Sequence, residues 1–278
     1  MNQESTTGDV TVVVCVRNVE ETIGPCLDSI VNNRPKEIIV VDGDATDRTM
    51  EIAKEYADQF VSDQGKGLAY ARRLGASLAT GEEVLYVGPD NILPPDFISR
   101  LVELKKESDF DVVSVQTRLE SVETVWDRGL DFRWIKLMGT PGPASVAGTP
   151  SMYTRALFDL VTFSEEDLGP NDDTQIASEL LEKGKTIGIV PLVVWEAGGN
   201  RLKDIWKRYY WYGTGDTLFY RANAPHWSLR RRIKSLTHPL RQTMRYAGSA
   251  LLRLRFGALP FLFVTMVARY TGWAKGPK

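Results

Sequence analysis

The residues that could do chemistry are acidic and amide side chains in three loops. Asp42 directly follows an apolar strand pattern at residues 37–41, with Asp44 and Asp47 close behind. A carboxylate at the carboxyl end of a parallel strand points into the crevice where ligands collect, so Asp42 is predicted to accept a hydrogen bond from a ribose or a base. Turn formation and helix capping are the alternative roles in this loop.

The second loop contains Asp90 and Asn91, which follow the strand pattern 83–87. Mg²⁺ and Mn²⁺ accept one or two protein oxygens and complete their shell with phosphate and water, so Asp90 is predicted to bind such an ion with Asn91 beside it. The alternative is an Asx turn ahead of Pro94 and Pro95.

The third loop ends in Asn171, Asp172 and Asp173, which open a predicted helix. Acidic residues at a helix start usually act only as caps. A carboxylate held at the rim of a pocket can also be the general base that deprotonates a hydroxyl, and position alone does not decide between these roles.

Several common catalytic arrangements are missing from the sequence. Both histidines, His226 and His238, lie near the C-terminus, and the chain has neither a GxSxG nor a Walker A motif. No GxGxxG follows the first strand pattern, which argues against a dinucleotide dehydrogenase and against a methyltransferase.

Alternating strand and helix patterns predict that these loops share one edge of a mainly parallel sheet. Strands are predicted at residues 10–16, 37–41, 60–61, 83–87, 111–117 and 186–195, and helices at 21–31, 47–57, 68–79, 94–106, 172–183 and 202–220. The segment 139–150, rich in glycine and proline, is predicted to be a loop.

Composition and charge divide the chain into two parts. Its 278 residues are 43% hydrophobic and 25% charged, typical of a globular protein, and its two cysteines are too few for a disulfide scaffold. From Thr217 onward there is no acidic residue and the charge is +12, while the rest carries −14. Residues 1–223 are therefore predicted to be an α/β domain and residues 224–278 a basic helical region.

The basic region is predicted to bind a membrane surface rather than nucleic acid. Its segment 256–268 is almost uncharged, yet its 13 residues fall short of the roughly 20 that span a bilayer. We therefore expect an interfacial anchor, with a core helix or an oligomer contact as the alternative. The polar N-terminus lacks the features of a secretory signal, so we expect a cytoplasmic protein, peripheral on the inner face of the cell membrane.

The order of motifs resembles the family 2 glycosyltransferases of GT-A fold, from about residue 10 to residue 215. Five segments carry the resemblance: VTVVVCVRNVEETIGPCLDSI, IIVVDGDATDRTMEIA, GKGLAYARRLGASLATGEEVLYVGPDN, EDLGPNDDTQIASELLEKG and RLKDIWKRYYWYGTGD. The third contains the DxD loop, and the fourth resembles the Glu-Asp segment that carries the catalytic base.

The resemblance implies a UDP- or GDP-sugar donor, a Mg²⁺ or Mn²⁺ ion on its diphosphate, inversion at the anomeric carbon, and a glycan or lipid-linked acceptor. By position, Asp173 is the implied base and Asp90 the metal ligand. The residues implied to surround the donor are Val16 and Arg17 at the base, Asn18 in the same loop, Asp42 at the base or ribose, Lys66 at the phosphates, and Pro89, Asp90 and Asn91 in the DxD loop.

The sequence departs from the family pattern at three places. Gly88 stands where the first Asp of the DxD is expected, Asp172 stands where Glu is usual, and residues 207–211 replace the QxxRW of processive synthases. A transferase that adds a single sugar is therefore expected. The alternatives are a catalytically silent binding or scaffold subunit and a sugar nucleotidyltransferase that releases pyrophosphate.

Overall fold

The computed structural model describes residues 9–162, 171–198 and 200–276. These residues form two compact units. The first consists of residues 9–118, 138–162 and 173–197, and the second of residues 119–137, 171–172, 198 and 200–276.

The first unit is built on a nine-stranded sheet, counted over the described residues. Its strands are β1 (Val10–Val16), β2 (Glu37–Asp42), β3 (Gln59–Ser62), β4 (Glu83–Val87), β5 (Asn91–Ile92), β6 (Val112–Leu119), β7 (Gly142–Pro143), β8 (Ser151–Thr154) and β9 (Ile187–Glu196). The order is β3-β2-β1-β4-β8-β6-β9-β5, with β7 also paired to β9.

Only one half of this sheet is parallel. Strands β3, β2, β1 and β4 run parallel to one another, whereas β8 is antiparallel to both β4 and β6. Strands β5 and β7 are antiparallel to β9. The predicted parallel arrangement is confirmed for the first four strands, but the antiparallel β8 lies between β4 and β6.

Helices α1 to α4 and α6 accompany this sheet. Their bounds are α1 (Ile23–Asn32), α2 (Thr49–Ala53), α3 (Leu68–Leu78), α4 (Phe97–Glu107) and α6 (Asp172–Glu182). Helix α5 (Val125–Met138) lies between β6 and β7 in the chain. The sequence pattern predicts neither α5, whose apolar residues show no clear helical stripe, nor β8, which has only four residues.

The strands bury both faces because successive side chains alternate between them. Val12 and Val14 of β1 belong to one core cluster, together with Leu27 of α1 and Leu101 of α4. Val13, between them, belongs to a second cluster with Ala71 of α3 and Ala177 and Leu180 of α6. The apolar runs of the sequence are therefore strands covered by helices on both sides.

The second unit is helical. It contains α5, α7 (Leu202–Asn223), α8 (Leu229–Leu236), α9 (His238–Leu252) and α10 (Leu259–Lys275). A third core cluster joins Leu130 of α5, Ile205 of α7, Tyr246 of α9 and Phe261 of α10. Helices α7 and α10 pack with their backbones close together, and glycines at the contact make this possible. A Cβ at Gly213 would collide with the Arg269 carbonyl, and a Cβ at Gly272 would collide with the Tyr210 carbonyl.

Much of the apolar segment 256–268 lies in this helical core. Phe261, Leu262 and Ala268 are buried, whereas Phe256 and Phe263 remain exposed. Across the described residues, no helix combines the length and the apolar character needed to span a membrane.

Candidate functional site

The parallel strands bring two of the predicted loops to one edge of the sheet. In the pairing of β1 with its neighbours, Val16 lies opposite Asp42 of β2, and Val14 lies opposite Val87 of β4. Adjacent strands are about 4.8 Å apart, so Asp42 and the loop after Val87 lie about 10 Å apart across β1. This strand edge therefore holds Asp42, the loop after β1 and the loop after β4.

Asp42 is buried at the last position of β2, and it uses one carboxylate oxygen to hold its own turn. The Ala45 amide donates to Oδ1 of Asp42 over 2.9 Å. The predicted turn role is thus real. The other oxygen, Oδ2, has no hydrogen-bond partner in the part of the chain that the structure describes, so Asp42 keeps an acceptor for a ligand.

The loop after β1 is tied to the loop after β2 through Asn18. Asn18 adopts a left-handed backbone conformation, with φ of 54°, and its Oδ1 accepts from the Thr46 amide over 2.7 Å. Val16 is buried in the core, and its carbonyl accepts from the Gly43 amide, whereas Arg17 is exposed. Arg17 therefore presents its side chain at this edge, while Val16 can contribute its backbone.

Asp63, which the sequence analysis did not single out, lies beside Asp42. It directly follows β3 and is buried, and its amide donates to the Asp42 carbonyl over 2.8 Å. Its carboxylate accepts from the amides of Gly65 and Gly67 over 2.8 and 3.1 Å. Burial raises the pKa of Asp63, and the negative charges of Asp44 and Asp42 raise it further, against the two amide hydrogen bonds.

Asp63 thereby shapes the loop that carries Lys66. Gly65 and Gly67 have φ values of 72° and 90°, which favour glycine, and their amides turn toward the Asp63 carboxylate. The exposed Lys66 ammonium lies 4.4 Å from the ring centroid of Tyr70. Asp63 and Asp42 share the same sequence signal, which is a carboxylate directly after a strand. The signal is weak at Asp63 because β3 is short and its apolar pattern covers only two residues.

The loop after β4 is closed by the side chain of Asn91. The Gly88 amide donates to Oδ1 of Asn91 over 2.9 Å, and the Asn91 amide returns a bond to the Gly88 carbonyl over 3.0 Å. Pro89 and Asp90, between them, are half-buried. Asn91 is thus used to build the turn, which leaves Asp90 as the carboxylate of the loop.

Asp90 suits a cation that takes few protein ligands. No group of three or more His, Cys, Asp or Glu side chains able to hold a metal occurs among residues 9–162, 171–198 and 200–276. A single carboxylate can still hold Mg²⁺ or Mn²⁺, because these ions complete their shell with phosphate oxygens and water. The negative charge of Asp90 also reaches Cys26, whose pKa is raised mainly by burial and further by that charge.

Asp173 lies at the start of α6. The Thr174 hydroxyl donates to its Oδ1 over 3.1 Å, and the side chain is half-buried. Ile176 and Leu180 of the same helix pack in the core cluster that contains Tyr86 of β4. The first part of the resembling segment, residues 166–170, lies outside the described residues. The convergence of Asp173 with Asp42 and Asp90 stays a prediction.

This arrangement defines an α/β protein whose parallel strands bring their carboxyl ends to one edge, the place where ligands usually bind in open sheets of this kind. The family model "Glycosyl transferase family 2" matches residues 11–158, more than half of the chain. The chain belongs to glycosyl transferase family 2. The expected family and transferase class are thus confirmed.

Two curated relatives match over little more than a third of this chain. Glycosyltransferase GlyA of Streptococcus pneumoniae is 33% identical over 110 residues, which are 37% of this chain and 16% of GlyA. Cholesterol galactosyltransferase of Borreliella burgdorferi is 32% identical over 114 residues, 38% of this chain and 32% of that protein. The match therefore spans less than a third of the length of either relative.

Solved structures of other proteins have a similar fold over most of this chain. TarS 1-349 of Staphylococcus aureus in complex with UDP-GlcNAc aligns with a TM-score of 0.55 and 14% identity, over 96% of this chain and 92% of that chain. Glucosyl-3-phosphoglycerate synthase of Mycobacterium tuberculosis, with Mn²⁺, UDP and glucosyl-3-phosphoglycerate, aligns with a TM-score of 0.51 and 22% identity, over 69% and 72% of the two chains. These matches confirm the predicted GT-A class.

Proposed function

We propose that this protein is an inverting, metal-assisted glycosyltransferase that moves one sugar from a UDP- or GDP-sugar to an acceptor hydroxyl or phosphate. The observation that carries the proposal is the register of β2, β1 and β4, which brings Asp42 and the Asp90 loop to the same edge. Membership of family 2 supports a nucleotide-sugar as the donor.

The donor's base and ribose are assigned to the β1 and β2 side of the edge. Asp42 has a carboxylate oxygen to spare for a ribose hydroxyl or a base N–H. Arg17 and the backbone of Val16 border the same position, and Asn18 holds the two loops together. Lys66 is the cation assigned to the phosphates.

Asp90 is the residue assigned to hold Mg²⁺ or Mn²⁺, with Pro89 and Asn91 shaping its loop. When bound, such an ion neutralises the charge that develops on the departing nucleoside diphosphate. The Mn²⁺ in the similar synthase structure supports this assignment. The protein's own part is to hold the Asp90 carboxylate, which it does by closing the turn through Gly88 and Asn91.

Asp173 is proposed as the general base for the acceptor. A base must reach the acceptor hydroxyl from the side opposite the leaving group, because an inverting displacement proceeds in line. The start of a helix packed on the β4 side of the core is a rigid position for such a carboxylate.

The reaction is tested by incubating the full chain with UDP- and GDP-sugars and Mn²⁺ and identifying the released nucleotide. Release of UDP or GDP is the expected result, stimulated by an acceptor that carries a free hydroxyl or phosphate. Release of pyrophosphate would indicate a nucleotidyltransferase. If the panel gives no product while donors bind, the scaffold alternative replaces this proposal.

The base is tested with Asp173→Asn, which keeps the size of the side chain and removes its basicity. We expect the turnover number to fall about 100-fold or more, the usual range for a lost general base, while donor binding changes little. Asp159→Asn, an exposed carboxylate of the same unit, is the matched control. Near-normal turnover in Asp173→Asn would remove the base assignment.

We further propose that the protein works at the cytoplasmic face of the membrane on a lipid-linked acceptor. Leu229 and Ile233 of α8 are 73% and 52% exposed, and the same short helix carries Arg230, Arg231, Arg232 and Lys234. Leu252 at the end of α9 is 88% exposed, and Leu254 and Phe256, which follow that helix, are 75% and 55% exposed. Exposed apolar side chains among basic ones are typical of an interfacial helix on an anionic bilayer.

A further inference from the structure

A small pocket in the helical unit contains a buried arginine that has no counter-ion among the residues that the structure describes. The pocket is lined by residues of α5, α7, α9 and α10, among them Arg133, Tyr209, Gln242, Thr243, Tyr246 and Arg269. Arg133 is only 9% exposed, and no hydrogen bond or ion pair to its guanidinium comes from the residues that the structure describes. Its contacts are with aromatic rings, since Cζ lies 5.4 Å from the ring centroids of both Trp134 and Tyr209.

Arg269, the other arginine of the pocket, has a carboxylate partner in the same surroundings. Arg269 pairs with Asp216 through two hydrogen bonds, one of them from Nη2 to Oδ1 over 2.7 Å. Asp216 thereby neutralises Arg269. Arg133 has no such carboxylate partner among the described residues, and the part of its side chain that lines the pocket can reach a ligand.

The surroundings of Arg133 are positively charged. Burial lowers the pKa of His238, and the positive charges of Arg269, Arg241 and Arg133 lower it further, while Asp216 acts in the opposite direction. Lys136, on the same helix as Arg133, has its pKa lowered by burial and then by Arg253 and Arg245. An anion entering this region is attracted by several cations at once.

The uncharged polar groups of the pocket complete a donor set. Thr243 and Tyr246 contribute hydroxyl groups, and the Gln242 amide lies 3.5 Å from the Tyr246 hydroxyl. A planar guanidinium binds oxyanions through two parallel hydrogen bonds, and hydroxyl and amide donors suit the further oxygens of a phosphate.

From this geometry we infer that the pocket around Arg133 is a binding site for a phosphate group, belonging either to a soluble phosphate ester or to a lipid headgroup. The pocket is small, so it suits a single phosphate rather than a nucleotide. Its lining residues all belong to the helical unit, whereas the donor residues assigned above belong to the first unit. The site is therefore independent of the proposed function and is tested without any sugar transfer.

The first experiment titrates inorganic phosphate into the full chain by calorimetry, in buffers matched with chloride for ionic strength. We expect saturable binding to the wild type. Arg133→Gln should weaken it at least tenfold, and Arg133→Lys should weaken it less but measurably, because lysine keeps the charge and loses the planar fork. Arg255→Gln removes an exposed arginine of the same unit and should bind as the wild type does.

A second variant keeps the test valid if Arg133→Gln fails to fold. Thr243→Val removes one hydroxyl donor at nearly constant volume and leaves the aromatic contacts of Arg133 in place, so it should fold and bind phosphate about threefold more weakly or worse. Phosphate that binds no better than chloride, or equally well in Arg133→Gln or Thr243→Val, would overturn the inference.

Two further binding measurements distinguish a lipid headgroup from a soluble phosphate ester. Vesicles of phosphatidylcholine containing phosphatidic acid, with pure phosphatidylcholine vesicles as reference, present a headgroup phosphate, and glycerol 3-phosphate presents a soluble ester. Arg133-dependent binding to the phosphatidic acid vesicles assigns a headgroup. Arg133-dependent binding of glycerol 3-phosphate, with vesicle binding unchanged in Arg133→Gln, assigns a soluble ester. Loss of Arg133 dependence in both arms contradicts the site.

Discussion

Gly88 and Asn91 offer a direct test of how the protein builds the loop of Asp90. Both residues are buried, and the Gly88 amide donates to Oδ1 of Asn91 over 2.9 Å. A Cβ at position 88 would lie 2.8 Å from that same oxygen and 3.0 Å from Oδ1 of Asp90. Gly88→Ala therefore forces the Asn91 amide away from its donor and displaces the Asp90 carboxylate as well.

The expected cost follows from the bond that is lost. A buried donor left without a partner costs about 1–3 kcal/mol, and replacing glycine by alanine returns about 0.4–1 kcal/mol through the unfolded chain. We expect Gly88→Ala to lower the free energy of unfolding by about 1–2 kcal/mol, from the difference of these two effects. Cation-dependent donor binding should weaken in the same variant, because Asp90 moves.

The assay is urea unfolding followed by tryptophan fluorescence, with Asn91→Ala and the double variant completing a cycle. Once Asn91 has lost its amide, the new Cβ has no Asn91 oxygen to displace, so the double variant should be more stable than the sum of the single changes predicts, by about 1 kcal/mol. Gly24→Ala is the control, since its Cβ would meet only Ile52 Cγ2 at 3.7 Å. Wild-type stability in Gly88→Ala, or strict additivity in the cycle, would refute this account of the loop.

Three further predictions address the metal, the helical unit and the basic surface. Asp90→Ala should weaken cation-dependent donor binding at least about tenfold, because losing even a residue that only orients a metal ligand costs about 10–100-fold; an unchanged Mn²⁺ titration argues against the assignment. Asp127 is buried and accepts hydrogen bonds from the amides and side chains of Thr124 and Asn200 over 2.8 to 3.1 Å. Burial alone raises its pKa, but the hydrogen bonds from Asn200 and Thr124 outweigh burial and hold the pKa below its ordinary value. Asp127→Ala should therefore lower the free energy of unfolding by about 2–4 kcal/mol at neutral pH. The difference in stability between wild type and variant should be complete above the unfolded-state pKa of about 3.9 and should disappear as the pH falls through the lowered folded-state pKa. A difference that persists in stronger acid contradicts this role of Asp127. The double change Arg230→Glu and Arg232→Glu on α8 should weaken binding to phosphatidylglycerol vesicles by about 2 kcal/mol or more, because each basic residue near the surface contributes about 1 kcal/mol. The control is the same charge reversal at the exposed Lys54 and Lys106. An equal loss of vesicle affinity in the two double variants would exclude a specific membrane-binding surface on α8.

The vesicle test changes surface charge because removal of the basic region would damage the core. Phe261 and Tyr246, which follow residue 223, pack in one cluster with Leu130 and Ile205, which precede it. A chain that ends at residue 223 would leave that cluster without half of its members. Its failure to bind vesicles would then reflect unfolding as much as a lost surface.

The sequence is informative where local pattern and burial agree. Strands β1 and β4 begin and end at the predicted residues, because continuous apolar runs bounded by polar loops are typical of strands covered on both faces. The edge shared by Asp42 and Asp90 follows from that pattern, since parallel strands joined by helices place their carboxyl ends together.

Features that depend on packing between distant segments could not be predicted. Arg133, Tyr209, Gln242 and Arg269 come from four helices spread over more than a hundred residues, and only the packing of α5, α7, α9 and α10 brings them into one pocket. Arg133 looks like an ordinary surface arginine in the sequence. Its burial, with no carboxylate partner in the described parts of the chain, follows only from the packing of the helical unit.

The charges at the strand edge favour one direction for the donor in the proposed site. Asp42, Asp44 and Asp63 concentrate negative charge near the ends of β2 and β3, strongly enough to raise the pKa of Asp63 beyond the effect of burial. These carboxylates repel a diphosphate, so that Lys66 is the one phosphate contact assigned to this side of the edge, whereas a neutral base and ribose can donate to the carboxylates. The diphosphate is then expected on the β4 side, where a cation on Asp90 offsets its charge. Asp42→Asn should therefore weaken binding of a nucleoside more than binding of inorganic diphosphate with Mn²⁺, and Asp90→Ala should do the reverse.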